Sequence, residues 1–217
     1  MSANIFVWIE QHSGQPVSAS WEALGQARRL AGGNADGGTI TALVFGQNVD
    51  SVVQSAFHFG ADAVIKTADP SLAHYRFEPY VALLAQQVKT HQPDIVLAGA
   101  TIAGRELLAG AAADLDAPSL SDVTELTLDG GNLKSVRPVI GGKVLSVETT
   151  AGDGPQFASL RPRAFAPLEP DTSRSGSITD VSPVLDETSI ATTIESTEEK
   201  TGKVTLTDAS IIVSGGR

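Results

Sequence analysis

Along the first 115 residues, short apolar runs alternate with longer stretches in which apolar residues return every three or four positions. The first run, residues 4–10, carries Ile5, Phe6, Val7, Trp8 and Ile9 without interruption and reads as a buried strand. Residues 18–31 read as a helix. Trp21, Leu24, Ala27 and Ala31 fall at helical spacing, and Gly32-Gly33 stops it. Residues 39–45 form a second strand, ended by Gly46. Asn48 is placed to cap a helix with Val49, Val52, Val53, Ala56 and Phe57 on one face. Residues 63–67 predict a third strand. Residues 78–91 predict a helix built on Val81, Leu84 and Val88 and closed by Gln92-Pro93. Residues 95–98 are a fourth strand, and 104–115 an alanine-rich helix. Four strand–helix units in succession predict an α/β fold with a mostly parallel, doubly wound sheet, apolar on both faces because helices cover both.

Near Pro118 the pattern changes. Residues 123–128, 133–139 and 143–149 are β-like and separated by Asp129-Gly130-Gly131-Asn132 and Gly141-Gly142. Glycine and asparagine tolerate the positive φ of hairpin turns. Residues 156–160 add another short strand, so the core is expected to pass into an antiparallel β extension or sheet edge. Residues 171–203 have no aromatics and many Ser and Thr. They read either as a flexible linker or as a strap, with 178–185 and 189–195 as weak strands that need a surface to lie on. Ser210, Ile211, Ile212 and Val213 then read as a buried strand, followed by the glycine turn Ser214-Gly215-Gly216-Arg217. The expected division is an α/β domain over 1–170, a linker or strap over 171–203, and the start of a second domain over 204–217.

Composition narrows the function classes. Of 217 residues, 41% are hydrophobic and 18% charged, which is globular and not disordered. A net charge of −10 argues against phosphate backbones and anionic membranes as partners. The absence of cysteine removes disulfides, thiolate catalysis and thiolate-bound metal, and suits a reducing compartment. The apolar start at Ile5 is too short for a membrane span and lacks a basic leader, so a cytoplasmic origin, or the mitochondrial matrix for a processed eukaryotic protein, is expected.

One turn has the form of a ligand site. The strand at 95–98 leads through Gly99-Ala100-Thr101-Ile102-Ala103-Gly104-Arg105 into a helix. Open α/β sheets bind phosphates at such turns, with Thr101 and Arg105 available to assist. The same residues also make an ordinary tight turn with a hydroxyl cap, since the stricter dinucleotide pattern is missing. Gly141-Gly142-Lys143 is followed by Val144, so no P-loop is formed. His12, His58, His74 and His91 are scattered, with no metal-ligand spacing. Asp114 and Asp116 flank Leu115 as a solvated helix end. Arg137, Arg161 and Arg163, two of them beside prolines, suit either a rigid contact surface or exposed charge.

Read in order, several of these stretches resemble the alpha subunits of electron transfer flavoproteins, the FixB-like family. They are Gly99-Ala100-Thr101 through Gly104-Arg105-Glu106-Leu107, Leu120-Ser121-Asp122, Arg137-Pro138 with Gly141-Gly142-Lys143, residues Gln156 to Pro162, and Ile212-Val213-Ser214-Gly215-Gly216-Arg217. The resemblance implies an N-terminal domain related to adenine-nucleotide hydrolases and universal-stress proteins, paired with a similar domain of a beta subunit. It implies a separate FAD domain in the alpha subunit, and that the nucleotide site of this N-terminal domain is usually unoccupied. It further implies that Arg217 lies against the flavin ring, where its charge would stabilise the reduced flavin, and that Ser214, Gly215 and Gly216 form the turn that brings it there. Here nothing follows Arg217, so flavin binding by this stretch of chain is expected to be incomplete, with FAD held by the full-length heterodimer.

The expected function is therefore an electron-carrier subunit without substrate turnover of its own. It would pass electrons from acyl-CoA or other flavin dehydrogenases toward a quinone oxidoreductase and the respiratory chain. Two alternatives stand beside it: a stand-alone adenine-nucleotide module using the turn at 99–105, and an interaction domain in which 178–195 adds a strand to a partner.

Overall fold

A computed structural model describes residues 3–32, 38–198, 209 and 211–216. The strand β1 (Ile5–Trp8) leads through a small hairpin, β2 (Gln11–His12) and β3 (Gln15–Pro16), into helix α1 (Ser18–Leu30). Next come β4 (Ile40–Gly46), α2 (Asp50–His58), β5 (Ala63–Ala68), α3 (Phe77–His91), β6 (Ile95–Gly99) and α4 (Ile102–Asp114). The second half adds β7 (Ser119–Val123), β8 (Glu125–Asp129), β9 (Asn132–Val139), β10 (Val144–Thr149), β11 (Gln156–Leu160) and β12 (Ser177–Asp180). A seven-stranded sheet in the order β12-β5-β4-β1-β6-β11-β7 forms the centre, and each of its pairings is parallel.

The strands are apolar on both faces because each face has its own helical layer. Ile5, Val7 and Ile9 pack with Ile40, Ala42 and Val44 against Leu24 and Ala27 of α1 and Val52, Val53 and Phe57 of α2. Phe6 and Trp8 point the other way, with Leu43, Phe45 and Phe157, against Tyr80, Leu84 and Val88 of α3 and Leu107, Leu108 and Ala111 of α4. The period of two in the strands thus divides one apolar run between two cores. The four strand–helix units stand as the sequence predicts, within two residues at each boundary.

Five local expectations are corrected. Asn48 does not cap α2. The cap position falls to Val49, whose side chain is buried in the core, and no side chain bonds there; Asp50 supplies the first-turn negative charge instead. The single strand expected over 123–128 is two strands. The pairing of β7 is irregular around Asp122, at φ 58°, and the chain bends at Thr124, so β7 stays in the parallel sheet while β8 leaves it. Residues 156–160 do not belong to the antiparallel extension. As β11 they insert between β6 and β7 in the main sheet. The extension is the meander β8–β9–β10, fastened to β11 by Gln156, whose Oε1 accepts from Leu133 N at 2.7 Å and whose Nε2 donates to Gly131 O at 2.9 Å.

The remaining two corrections concern the segment after 170. It lies along its own domain. β12 pairs with β5, and Val181 N donates to Lys66 O at 2.8 Å. Lys66 Nζ holds Asp180 at 3.0 Å and Asp50 at 3.2 Å. No strand forms over 189–195, where side chains make the attachment: Arg76 donates to both Glu187 oxygens, at 2.7 and 2.6 Å, and Thr192 Oγ1 donates to Glu78 Oε2 at 2.7 Å. Ile211 and Val213, expected in a buried strand, are exposed and in no strand; Ser210 lies outside the described residues. An apolar run becomes a buried strand only where a sheet receives it.

Candidate functional site

The sheet order places β1 between β4, which follows it, and β6, which returns from the far side. Beyond the carboxyl ends of β1 and β6 lies the crevice that doubly wound sheets use for ligands. It has a volume of about 980 Å³, with Trp21, Tyr75, Ile102 and Pro162 among its walls. Trp21 is fixed by stacking on Phe59, with ring centroids 4.6 Å apart.

The turn from β6 into α4 is built on two close approaches. A Cβ on Gly99 would lie 2.6 Å from Ala19 Cβ, and one on Gly104 would lie 2.0 Å from Gly99 O. Glycine is therefore required for α4 to start this close to the sheet. Thr101 is its N-cap, with Oγ1 accepting from Gly104 N at 2.9 Å. The same hydroxyl donates to Glu10 Oε2 at 2.5 Å. Glu10 follows β1 and is buried; its Oε1 stands 3.3 Å from His12 Nε2 of the small hairpin. The turn at 99–105 is thus structured as a helix cap, and a carboxylate faces it. Arg105, expected to assist a phosphate, donates through Nε to Thr101 O at 3.3 Å and also borders a second cavity.

That second cavity, of about 650 Å³, gathers Arg105, Arg137 and Arg161 beside Asp122 and the Gly141-Gly142 turn. Arg161 binds Asp122 through Nε at 3.1 Å and Nη2 at 2.5 Å. Arg137 Nη1 donates to Ser121 O at 3.0 Å, and its Nε lies 3.1 Å from Glu148 Oε1. The Arg161 hydrogen bonds hold the Asp122 carboxyl below its ordinary range. Partial burial opposes them, and the nearby Arg105 and Arg137 charges assist. Arg161 and Arg137 are therefore paired, not freely solvated charge.

Arg163 takes a different route. Its backbone N donates to Glu22 Oε2 at 2.7 Å and its Nη2 donates to Ala209 O at 2.8 Å, so it holds the chain just before the glycine motif. Burial pushes the Glu22 carboxyl up despite these donors. Ser214, Gly215 and Gly216 are exposed, without regular structure, and a Cβ on either glycine would meet nothing within 4 Å. Arg217 lies outside the described residues. Ser214, Gly215 and Gly216 are not among the residues that line the crevice. Among the described residues no group of three or more His, Asp or Glu is placed to hold a metal ion, and no helix is long and apolar enough to cross a membrane.

Sequence reasoning missed Glu10. The signal was available: an acidic residue directly after the first strand of a doubly wound sheet sits at the ligand end. It missed the Asp122–Arg161 pair because the partners are 39 positions apart.

Residues 5–185 match the electron transfer flavoprotein domain. The chain belongs to this family. It is 34% identical over 218 residues to the electron transfer flavoprotein subunit alpha of Bacillus subtilis, covering 100% of this chain and 65% of that protein. It is 35% identical over 219 residues to the protein FixB of Azorhizobium caulinodans, covering 98% and 59%. The figure for FixB of Azotobacter vinelandii is 36% over 222 residues, covering 99% and 61%. The chain thus spans less than two-thirds of the length of these relatives. The parallel α/β core with its antiparallel meander is the architecture that carries this family relationship here.

Proposed function

We propose that this chain forms the N-terminal portion of an electron transfer flavoprotein alpha subunit, whose role is to seat a beta subunit and a flavin domain. The observation that carries the reading is the family match over residues 5–185, joined to relatives named as alpha subunits and FixB. In this reading 1–170 is the scaffold, 171–203 the strap that crosses it, and 204–217 the entry to the flavin domain. The assembled carrier, cytoplasmic in a bacterium, would take electrons from acyl-CoA or other flavin dehydrogenases and deliver them toward a quinone oxidoreductase, without substrate turnover by this domain.

The fit of FAD to the described residues is poor. Open space surrounds Gly215 and Gly216, and Ile211 and Val213 are exposed, so these residues wall no flavin cradle. The assignment of Ser214, Gly215, Gly216 and Arg217 to FAD rests on the resemblance to electron transfer flavoprotein alpha subunits.

Support for a beta-subunit contact comes from the β9–β10 hairpin. Ile140, Val144, Leu145 and Val147 are all exposed there. The test is co-expression with the cognate beta subunit followed by gel filtration at micromolar concentration. Co-elution is expected, and separate elution would remove the scaffold reading.

A further inference from the structure

The crevice beyond β1 and β6 has the position and walls of a nucleotide site, yet the place where a phosphate would sit is already taken. The first amides of a helix have no partner inside it, and the helix dipole adds positive potential there, so an anion is the natural occupant. At helix α4 an anion from its own chain stands on the cap residue. The Glu10 carboxylate, on a residue 7% exposed, accepts from the Thr101 hydroxyl, which itself caps the helix at Gly104 N. Glu10 is also fixed through its backbone. Its N donates to Ser20 Oγ at 2.9 Å, and its carbonyl accepts from Val17 N at 2.9 Å. The carboxylate is therefore seated by its main chain and its tip together.

The lining of the crevice carries the carboxylates of Glu10 and Glu106. The Tyr75 phenol, on the crevice wall, is pushed well above its ordinary range. Burial is the main cause, and the negative charges of Glu106 and Glu10 add to it. Of the other polar groups in the lining, the His12 imidazole stands beside Glu10 Oε1 and the Arg105 guanidinium is turned back on Thr101 O. Apolar walls and a negative floor make a poor receptor for a phosphate.

We infer that Glu10 is the built-in occupant of the phosphate position and the residue that excludes nucleotides from this crevice. An adenine nucleotide would find aromatic and apolar walls for its base. Its phosphate, however, would have to displace a buried carboxylate or approach it. Removing the charge opens the position, and Thr101 Oγ1 keeps its own bond from Gly104 N as the cap of α4. This conclusion holds whichever partner the chain has.

The experiment is calorimetric titration with AMP, and with inorganic phosphate, on the wild type, Glu10→Gln and Glu10→Ser. Glutamine keeps the shape and the acceptor for Thr101 while removing the charge. Serine also clears the space. Wild type is expected to show no heat at millimolar ligand, and Glu10→Ser to bind AMP at least about tenfold more tightly, with Glu10→Gln between them. Far-UV circular dichroism and melting confirm that each variant is folded. If Glu10→Ser does not fold, the Glu10→Gln comparison decides. Saturable AMP binding by the wild type, or folded variants that take AMP no better than it does, would overturn the inference.

Discussion

Replacing a helical glycine by alanine ordinarily stabilises a protein by about 1 kcal/mol. At Gly104 the sign should reverse. The added Cβ would stand 2.0 Å from a backbone oxygen, Gly99 O, which has no soft way to yield. Overpacking of this kind costs about 1–3 kcal/mol and outweighs the propensity gain. Gly104→Ala is expected to lower the urea midpoint, and a raised midpoint would show that α4 does not start this close to β6. Asp122 gives a prediction in pH. Its folded pKa lies below the ordinary value of 3.8, chiefly through Arg161. The pair therefore stabilises fully above that value and loses its contribution as pH falls through the lower folded value. Both side chains are about one-third exposed, so the contribution is at most about 1 kcal/mol. Asparagine tolerates the φ of 58° at this position and removes the charge together with one of the two acceptor oxygens that Arg161 uses. The stability gap between wild type and Asp122→Asn should be visible at neutral pH and narrow as pH falls below the ordinary Asp value of 3.8. A gap that stays constant with pH would remove the ion pair from the account. These cases differ in how they could be read beforehand. Gly104 was legible as a turn glycine from its neighbours, whereas the Asp122 partner was not, because the fold and not the local sequence brings Arg161 beside it.

The elements were legible where their cause is local. The strands and helices up to residue 114 follow from hydrophobic period and glycine stops, and they stand with boundaries shifted by one or two positions. Strand order is a different matter. Nothing within Gln156–Leu160 distinguishes a hairpin strand from one that pairs in parallel with β6, since both need the same buried apolar residues. The strap shows the same limit. Its weak apolar content, with Ile178 still exposed, does not make a strand by itself. It is held by pairing with β5 and by the Arg76–Glu187 clasp. Arg76 is nearly buried and also donates to Ser71 O at 2.7 Å and Thr192 O at 3.1 Å, so one side chain gathers three points of the strap and its platform. Arg76→Ala should release residues 182–194, seen as faster hydrogen exchange and earlier proteolysis there. The global melting temperature should shift less, because the two helical cores do not include the clasp. Unchanged exchange in that segment would show that β12 alone holds it.

At the scale of the whole molecule, the distribution of apolar surface sets the last prediction. The central sheet is covered on both faces, but the meander is not. Along β10, Leu145 (66% exposed) and Val147 (61%) lie on one face, and Val144 (48%) on the other. Ile140, 72% exposed, sits at the hairpin tip with φ 53°, a conformation a β-branched residue adopts only under constraint. A strand with apolar residues in water on both faces, and a free outer edge, is the part of this fold most in need of a partner. The protein carries a net charge of −10, and near the tip of this hairpin Arg137, paired with Glu148, stands beside the Gly141-Gly142 turn, so the patch joins apolar contact to an ion pair. A double substitution, Leu145→Asp with Val147→Asp, separates the two roles a residue there can have. If the hairpin seats the proposed beta subunit, association measured by titration should weaken at least about tenfold, since two buried apolar anchors are lost and two charges are desolvated. The melting temperature of the isolated chain should barely move, because exposed substitutions cost within about 0.5 kcal/mol. Loss of stability without loss of association would place the beta subunit elsewhere on the molecule and make the hairpin a structural brace for β9 alone.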